Sequence, residues 1–149
     1  MKKIFLLISL IFIYSCGYTP LYLEKKDILI NLKEINGDFN LNNYIKNDIK
    51  IISNNDSENI IDLKAETKYE KIILTKDATG KATDYRLDFS VKFTILSEEN
   101  KVLIYEENFQ IKDNDETFEQ SNYEKEIKRN FSEIVIDKLI LDIVNLNDN

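Results

Sequence analysis

Between residues 84 and 96 the chain alternates strictly. Tyr85, Leu87, Phe89, Val91, Phe93 and Ile95 fall on one side, against Asp84, Arg86, Asp88, Ser90, Lys92 and Thr94 on the other. A period of two is the mark of a strand with one buried and one wet face. The same period links Ile61, Leu63, Ala65, Tyr69 and Ile73, with Asp62, Lys64, Glu66, Lys68 and Glu70 opposite. It returns in Leu103, Tyr105, Phe109 and Ile111. Glu98-Glu99-Asn100 supplies a turn, because asparagine tolerates the left-handed backbone. These three strands predict an antiparallel meander. Ile28, Ile30 and Leu32 predict an earlier strand, broken at Asn36-Gly37-Asp38.

Two stretches follow the helical period instead. Phe39, Leu41, Tyr44, Ile45, Asp48, Ile49 and Ile52 recur at helical spacing, with Asp38 or Asn40 as the N-cap. Residues 53–59 form a polar loop. After the polar stretch 113–117, Tyr123, Ile127, Phe131, Ile134, Val135, Leu139 and Ile143 recur every three or four positions, against a polar stripe of Glu126, Asn130, Glu133 and Asp137. Residues 134–144 are apolar enough for a strand, but the spacing of Asp137, Lys138 and Asp142 favours a helix. The order is therefore β-α-β-β-β-α. It predicts an α+β two-layer sandwich, with two helices packed on one face of a four-stranded, mostly antiparallel sheet.

The N-terminus has a different character. Lys2 and Lys3 precede a nearly unbroken apolar run over residues 4–13, about half the ~20 residues of a membrane-spanning helix. A basic start, a short apolar core and a small residue before a cut site describe an export signal. Ile13-Tyr14-Ser15-Cys16 resembles the bacterial lipobox, which implies cleavage before Cys16 and acylation of that cysteine. Acyl chains anchor stably in pairs or more, and a triacylated cysteine meets that requirement. The expected division is a leader at 1–15, a lipidated tether at 16–26, one α+β domain at 27–146 and a short tail at 147–149.

Composition narrows the chemistry. The 149 residues carry a formal charge of −7, so nucleic acid and anionic lipid surfaces are not general partners. There is no histidine, and Cys16 is the only cysteine. Histidine-based triads and the usual zinc ligand sets are therefore excluded. With three glycines and no phosphate-loop motif, no nucleotide cradle is expected. Glu98-Glu99 and Glu106-Glu107 read as solvated charge rather than a glycosidase pair. Asp113-Asn114-Asp115-Glu116 lacks the glycine and the distant glutamate of a calcium loop. The expectation is a protein without catalytic residues, metal or cofactor.

Cys-Gly-Tyr-Thr-Pro-Leu-Tyr at residues 16–22 resembles the mature start of the LPS-assembly lipoprotein family LptE, particularly its alphaproteobacterial forms. The block DYRLDFSVKFTIL at residues 84–96 is similar to that family's central strand. The resemblance implies the sandwich described above, seated as a plug and assembly aid in an LptD-type outer-membrane β-barrel. It also implies location at the outer membrane, lipid-anchored on the periplasmic side, and a role in lipopolysaccharide transport to the outer leaflet. Lipopolysaccharide contact is expected through basic residues at one end of the sheet. Carried onto this chain, those are Lys76 and Lys81 in the loop Thr75-Lys76-Asp77-Ala78-Thr79-Gly80-Lys81. A second family basic position falls near Gln120-Ser121-Asn122, where no basic residue stands. The alternative is a lipoprotein binding module or auxiliary subunit of another lipid-trafficking system.

Overall fold

The computed structural model describes residues 28–114 and 116–147. Its elements are β1 (Leu29–Asn36), α1 (Phe39–Ile52), β2 (Ile60–Lys76), β3 (Ala82–Ile95), β4 (Lys101–Lys112) and α2 (Thr117–Asn147). The sheet order is β1-β2-β3-β4, with β1 parallel to β2 and the other neighbours antiparallel. A parallel pair needs a crossover, and α1 provides it. The predicted sandwich is the observed one.

Asp38 is the N-cap of α1: its Oδ1 accepts from the Leu41 N–H at 2.9 Å. The turn before it depends on Gly37, whose φ is +116°. A Cβ there would stand 1.8 Å from the Thr67 carbonyl oxygen of β2. Only glycine lets this turn press against the sheet. Thr67 is buried at the same place, and its hydroxyl donates to Asn42 Oδ1 at 2.6 Å.

The core forms where the alternating face of the sheet meets both helices. Leu63, Ala65, Leu87, Phe89, Val91 and Phe93 lie under Leu41, Ile45 and Ile49 of α1 and Phe131, Val135, Leu139 and Ile143 of α2. Phe89 is the aromatic centre, with ring centroids 5.1 Å from Tyr69, 5.7 Å from Phe109 and 5.1 Å from Phe131. Such tilted and edge-on pairs contribute roughly 0.5–1.5 kcal/mol each beyond burial.

Parts of the apolar pattern lie elsewhere than expected. Tyr123 and Ile134 are exposed, while Ile136 is buried. Ile73 is also exposed, because β2 outruns β1 there. β1 pairs with β2 only as far as Asn36 opposite Glu66. From there the β2–β3 hairpin projects alone at its β2 edge.

The opposite sheet face is polar and largely self-paired over β1 to β3, while β4 exposes Val102 and Ile104 on it. Lys33 meets Asp62, Lys64 meets Glu34, Lys92 meets Glu66, and Arg86 meets Asp88, all within 3.2 Å. Exposed pairs of this kind contribute at most about 1 kcal/mol each. Their effect is to leave a hydrated face with little unbalanced charge.

Candidate functional site

The sheet gives the molecule two distinct ends. One holds the start of β1, the start of β2, the end of β3 and the end of α2. The other is the β2–β3 hairpin tip, beside the start of α2. Seventeen residues of β2 at about 3.3 Å each separate the ends by roughly 50 Å.

Both predicted lipopolysaccharide contacts lie at the tip. Lys76 closes β2, and Lys81 ends the turn that follows; both are exposed. Asp77 organises that turn. Its Oδ1 accepts from the Thr79 N–H at 2.8 Å, the Thr79 hydroxyl at 2.6 Å and the Lys81 N–H at 3.0 Å. The Thr79 hydroxyl, aided by the backbone donors and only partly opposed by desolvation, holds the Asp77 carboxyl below its usual range. Gly80 takes a φ of +87° with open space around it, so glycine here answers to backbone conformation alone.

The acids at this end are mostly engaged in holding it together. Asp84 accepts from the hydroxyls of Thr75 and Thr83, which lower its pKa. Asp113 pairs with Lys81 at 3.2 Å. A phosphate approaching Lys81 must therefore compete with Asp113, whereas Lys76 stands on the exposed strand end. Two ammonium groups on a firm turn act as point charges for an anion.

Behind the tip, the first turns of α2 carry a polar cluster that the periodicity could not reveal. Glu124 accepts from the Tyr69 hydroxyl at 3.0 Å, Lys71 Nζ at 2.5 Å and Gln120 Nε2 at 3.2 Å. Burial pushes the Glu124 pKa up, but these hydrogen bonds outweigh it and the net shift is downward. Gln120 also accepts from the Asn114 N–H at 3.0 Å. The position where a basic residue was missing is thus a buried amide that ties α2 to the preceding loop. Lys71 sits 4.0 Å from the Tyr85 ring centroid and is the basic side chain actually built into this end.

Apolar side chains accompany the lysines. Leu74, one residue beyond the regular β2 register, is exposed, as are Ile73 and, at 75%, Phe118 in the first turn of α2. Neither Leu74 nor Phe118 followed the core period, and that mismatch was the signal in the sequence. Cations beside exposed apolar groups suit an amphiphile with an anionic head.

Cys16 and the whole tether at 16–26 lie outside the described residues, as does the leader. Among the described residues, no group of three or more acidic or other metal-capable side chains is assembled for a metal ion. No helix among them is long and apolar enough to cross a membrane.

No protein-family profile and no curated protein matches the chain. Solved structures do. The crystal structure of rare lipoprotein B from Shewanella oneidensis superposes with a TM-score of 0.55 at 16% identity, covering 80% of this chain and 98% of that one. Lipoprotein B from Nitrosomonas europaea, solved by NMR, gives 0.53 at 12% identity over 82% and 88% of the two chains. A lipoprotein from Caulobacter crescentus gives 0.51 at 11% identity over 83% and 92%. The fold of this chain is one that bacterial lipoproteins share.

Proposed function

We propose that this protein is an outer-membrane lipoprotein of the LptE kind, anchored through acylated Cys16, that plugs and assists assembly of an LptD-type β-barrel. In that position it takes part in delivering lipopolysaccharide to the outer leaflet without catalysing a reaction. The observation that carries the reading is the combination of a lipobox cysteine with a sandwich fold found in solved lipoproteins. Two further features support it. Over β1 to β3 the sheet's outer face is polar and internally charge-balanced, which suits the water-lined interior of a barrel. The tip offers Lys76 and Lys81 beside Leu74 and Phe118, which suits a phosphorylated lipid.

The test is detergent extraction of tagged protein from cell envelopes, followed by identification of its tightest partner. A large outer-membrane β-barrel is expected. Recovery of inner-membrane transport components instead would favour the auxiliary-subunit alternative, and recovery of neither removes both readings. Labelled fatty acid should enter the wild type and not Cys16→Ser, which lacks the thiol that accepts the acyl group. Label on the serine variant would overturn the anchor.

A further inference from the structure

The end of the molecule opposite the tip carries a groove of about 260 Å³. Its apolar lining comes from Ile60 and Ile61 of β2, Ile95 and Leu96 at the end of β3, and Ile143 and Leu146 of α2. Ile60 is 58% exposed on its rim. The described chain begins beside this groove. The Ile28 carbonyl accepts from the Asn54 N–H at 3.0 Å, and the Leu29 N–H donates to the carbonyl of Asn59, itself a groove residue, at 2.9 Å. From there β1 runs away from the groove, so whatever precedes Ile28 arrives from the groove's side.

That preceding segment has a suitable composition. Glu24-Lys25-Lys26-Asp27 is polar, and immediately before it stands Leu21-Tyr22-Leu23. Four extended residues span at most about 14 Å, enough to bring the apolar triplet back over the groove. A segment joined to the fold by so short a link has an effective concentration in the millimolar range, which a separate molecule does not match.

We infer that Leu21-Tyr22-Leu23 docks in this groove, making the tether a fixed strut. The consequence is orientation: the anchoring cysteine emerges at the groove end, and the hairpin tip points roughly 50 Å away from it. The docking does not depend on which partner receives the protein; the orientation rests on the Cys16 anchor proposed above.

Hydrogen–deuterium exchange of the mature lipoprotein in detergent micelles tests it. The amides of residues 21–23 should exchange at least tenfold more slowly than free-chain rates. Ile60→Asp, at an exposed rim position, should remove that protection while the β3 amides stay protected. Leu23→Asp, which alters the tether and leaves the sandwich untouched, should do the same at Leu21 and Tyr22. Free-chain exchange in the wild type would overturn the docking. So would protection that survives both substitutions, which would mark shielding by detergent. Protection that disappears on dilution of the protein would assign the groove to a second copy.

Discussion

Lys128 offers the sharpest test of how the two layers are held together. It is only 6% exposed, yet it carries a charge. Its Nζ lies 3.2 Å from each carboxylate oxygen of Asp38 and 3.5 Å from the Tyr69 ring centroid. One ammonium thus joins α2, the N-cap of α1 and strand β2. Lys128→Met keeps most of the stem and removes the charge. A desolvated cation–π contact is worth about 2 kcal/mol, and breaking a fully buried ion pair costs about 3–5 kcal/mol. Asp38 is less than fully buried, at 23% side-chain exposure, and retains the Leu41 N–H. The expected loss is therefore about 2–4 kcal/mol, a large share of the 5–15 kcal/mol typical of a domain. Asp38→Asn isolates the ion pair, since asparagine caps a helix as well as aspartate. Urea unfolding followed by far-UV circular dichroism should place the double variant at least ~1 kcal/mol above the additive expectation. Additivity within about 0.3 kcal/mol would refute the claim that the two charges act as a unit.

Three other outcomes are expected. Gly37→Ala should cost more than the roughly 1–3 kcal/mol of an unfavourable backbone conformation, because its Cβ meets the Thr67 carbonyl; Gly80→Ala, in open space, should cost distinctly less by the same urea assay. Lys76→Glu with Lys81→Glu should leave folding and barrel co-purification intact, weaken lipopolysaccharide binding and reduce its salt dependence; unchanged binding would leave the tip as a solvated turn. Burial raises the Asp48 pKa against the bond it accepts from Ser132 at 2.6 Å. The folded state therefore holds its proton more tightly, and ionisation costs stability as pH rises through the folded pKa. Asp48→Asn should accordingly be more stable than wild type at neutral pH. That advantage should vanish below about pH 3, where the carboxyl is protonated in both states, as thermal melts across the pH range would show.

What the sequence disclosed and what it hid divide along physical lines. Alternation in β3 placed Leu87, Phe89, Val91 and Phe93 in the core, and all four are buried. Asp38 was one of two cap candidates, and local chemistry alone could not choose between it and Asn40. Over 31 residues of α2 the buried face follows Ile127, Phe131, Val135, Leu139 and Ile143. The four-residue step leaves Ile134 outside that face and brings Ile136 onto its flank. Lys128 and Thr67 could not be read as buried, because their partners come from distant segments or from a glycine turn. The tip lysines were legible as a loop. Its apolar companions and the buried Gln120 were not, since they depend on where β2 outruns β1 and where α2 begins.

The unequal spans of these contacts also set an order of assembly. The β2–β3 hairpin closes across a five-residue turn fixed by Asp77, and its pairing then propagates residue by residue. β1 joins through contacts about thirty positions apart, such as Asn31 to Asp62 at a separation of 31. The Lys128–Asp38 clasp spans 90 positions. Closing longer loops costs more entropy before any contact forms, so the hairpin belongs to the early nucleus and the clasp to the final locking step. A destabilising tip substitution such as Gly80→Ala should then slow refolding, whereas loss of Lys128 should chiefly accelerate unfolding. The clasp thereby governs how long the finished sandwich persists, rather than how quickly it forms.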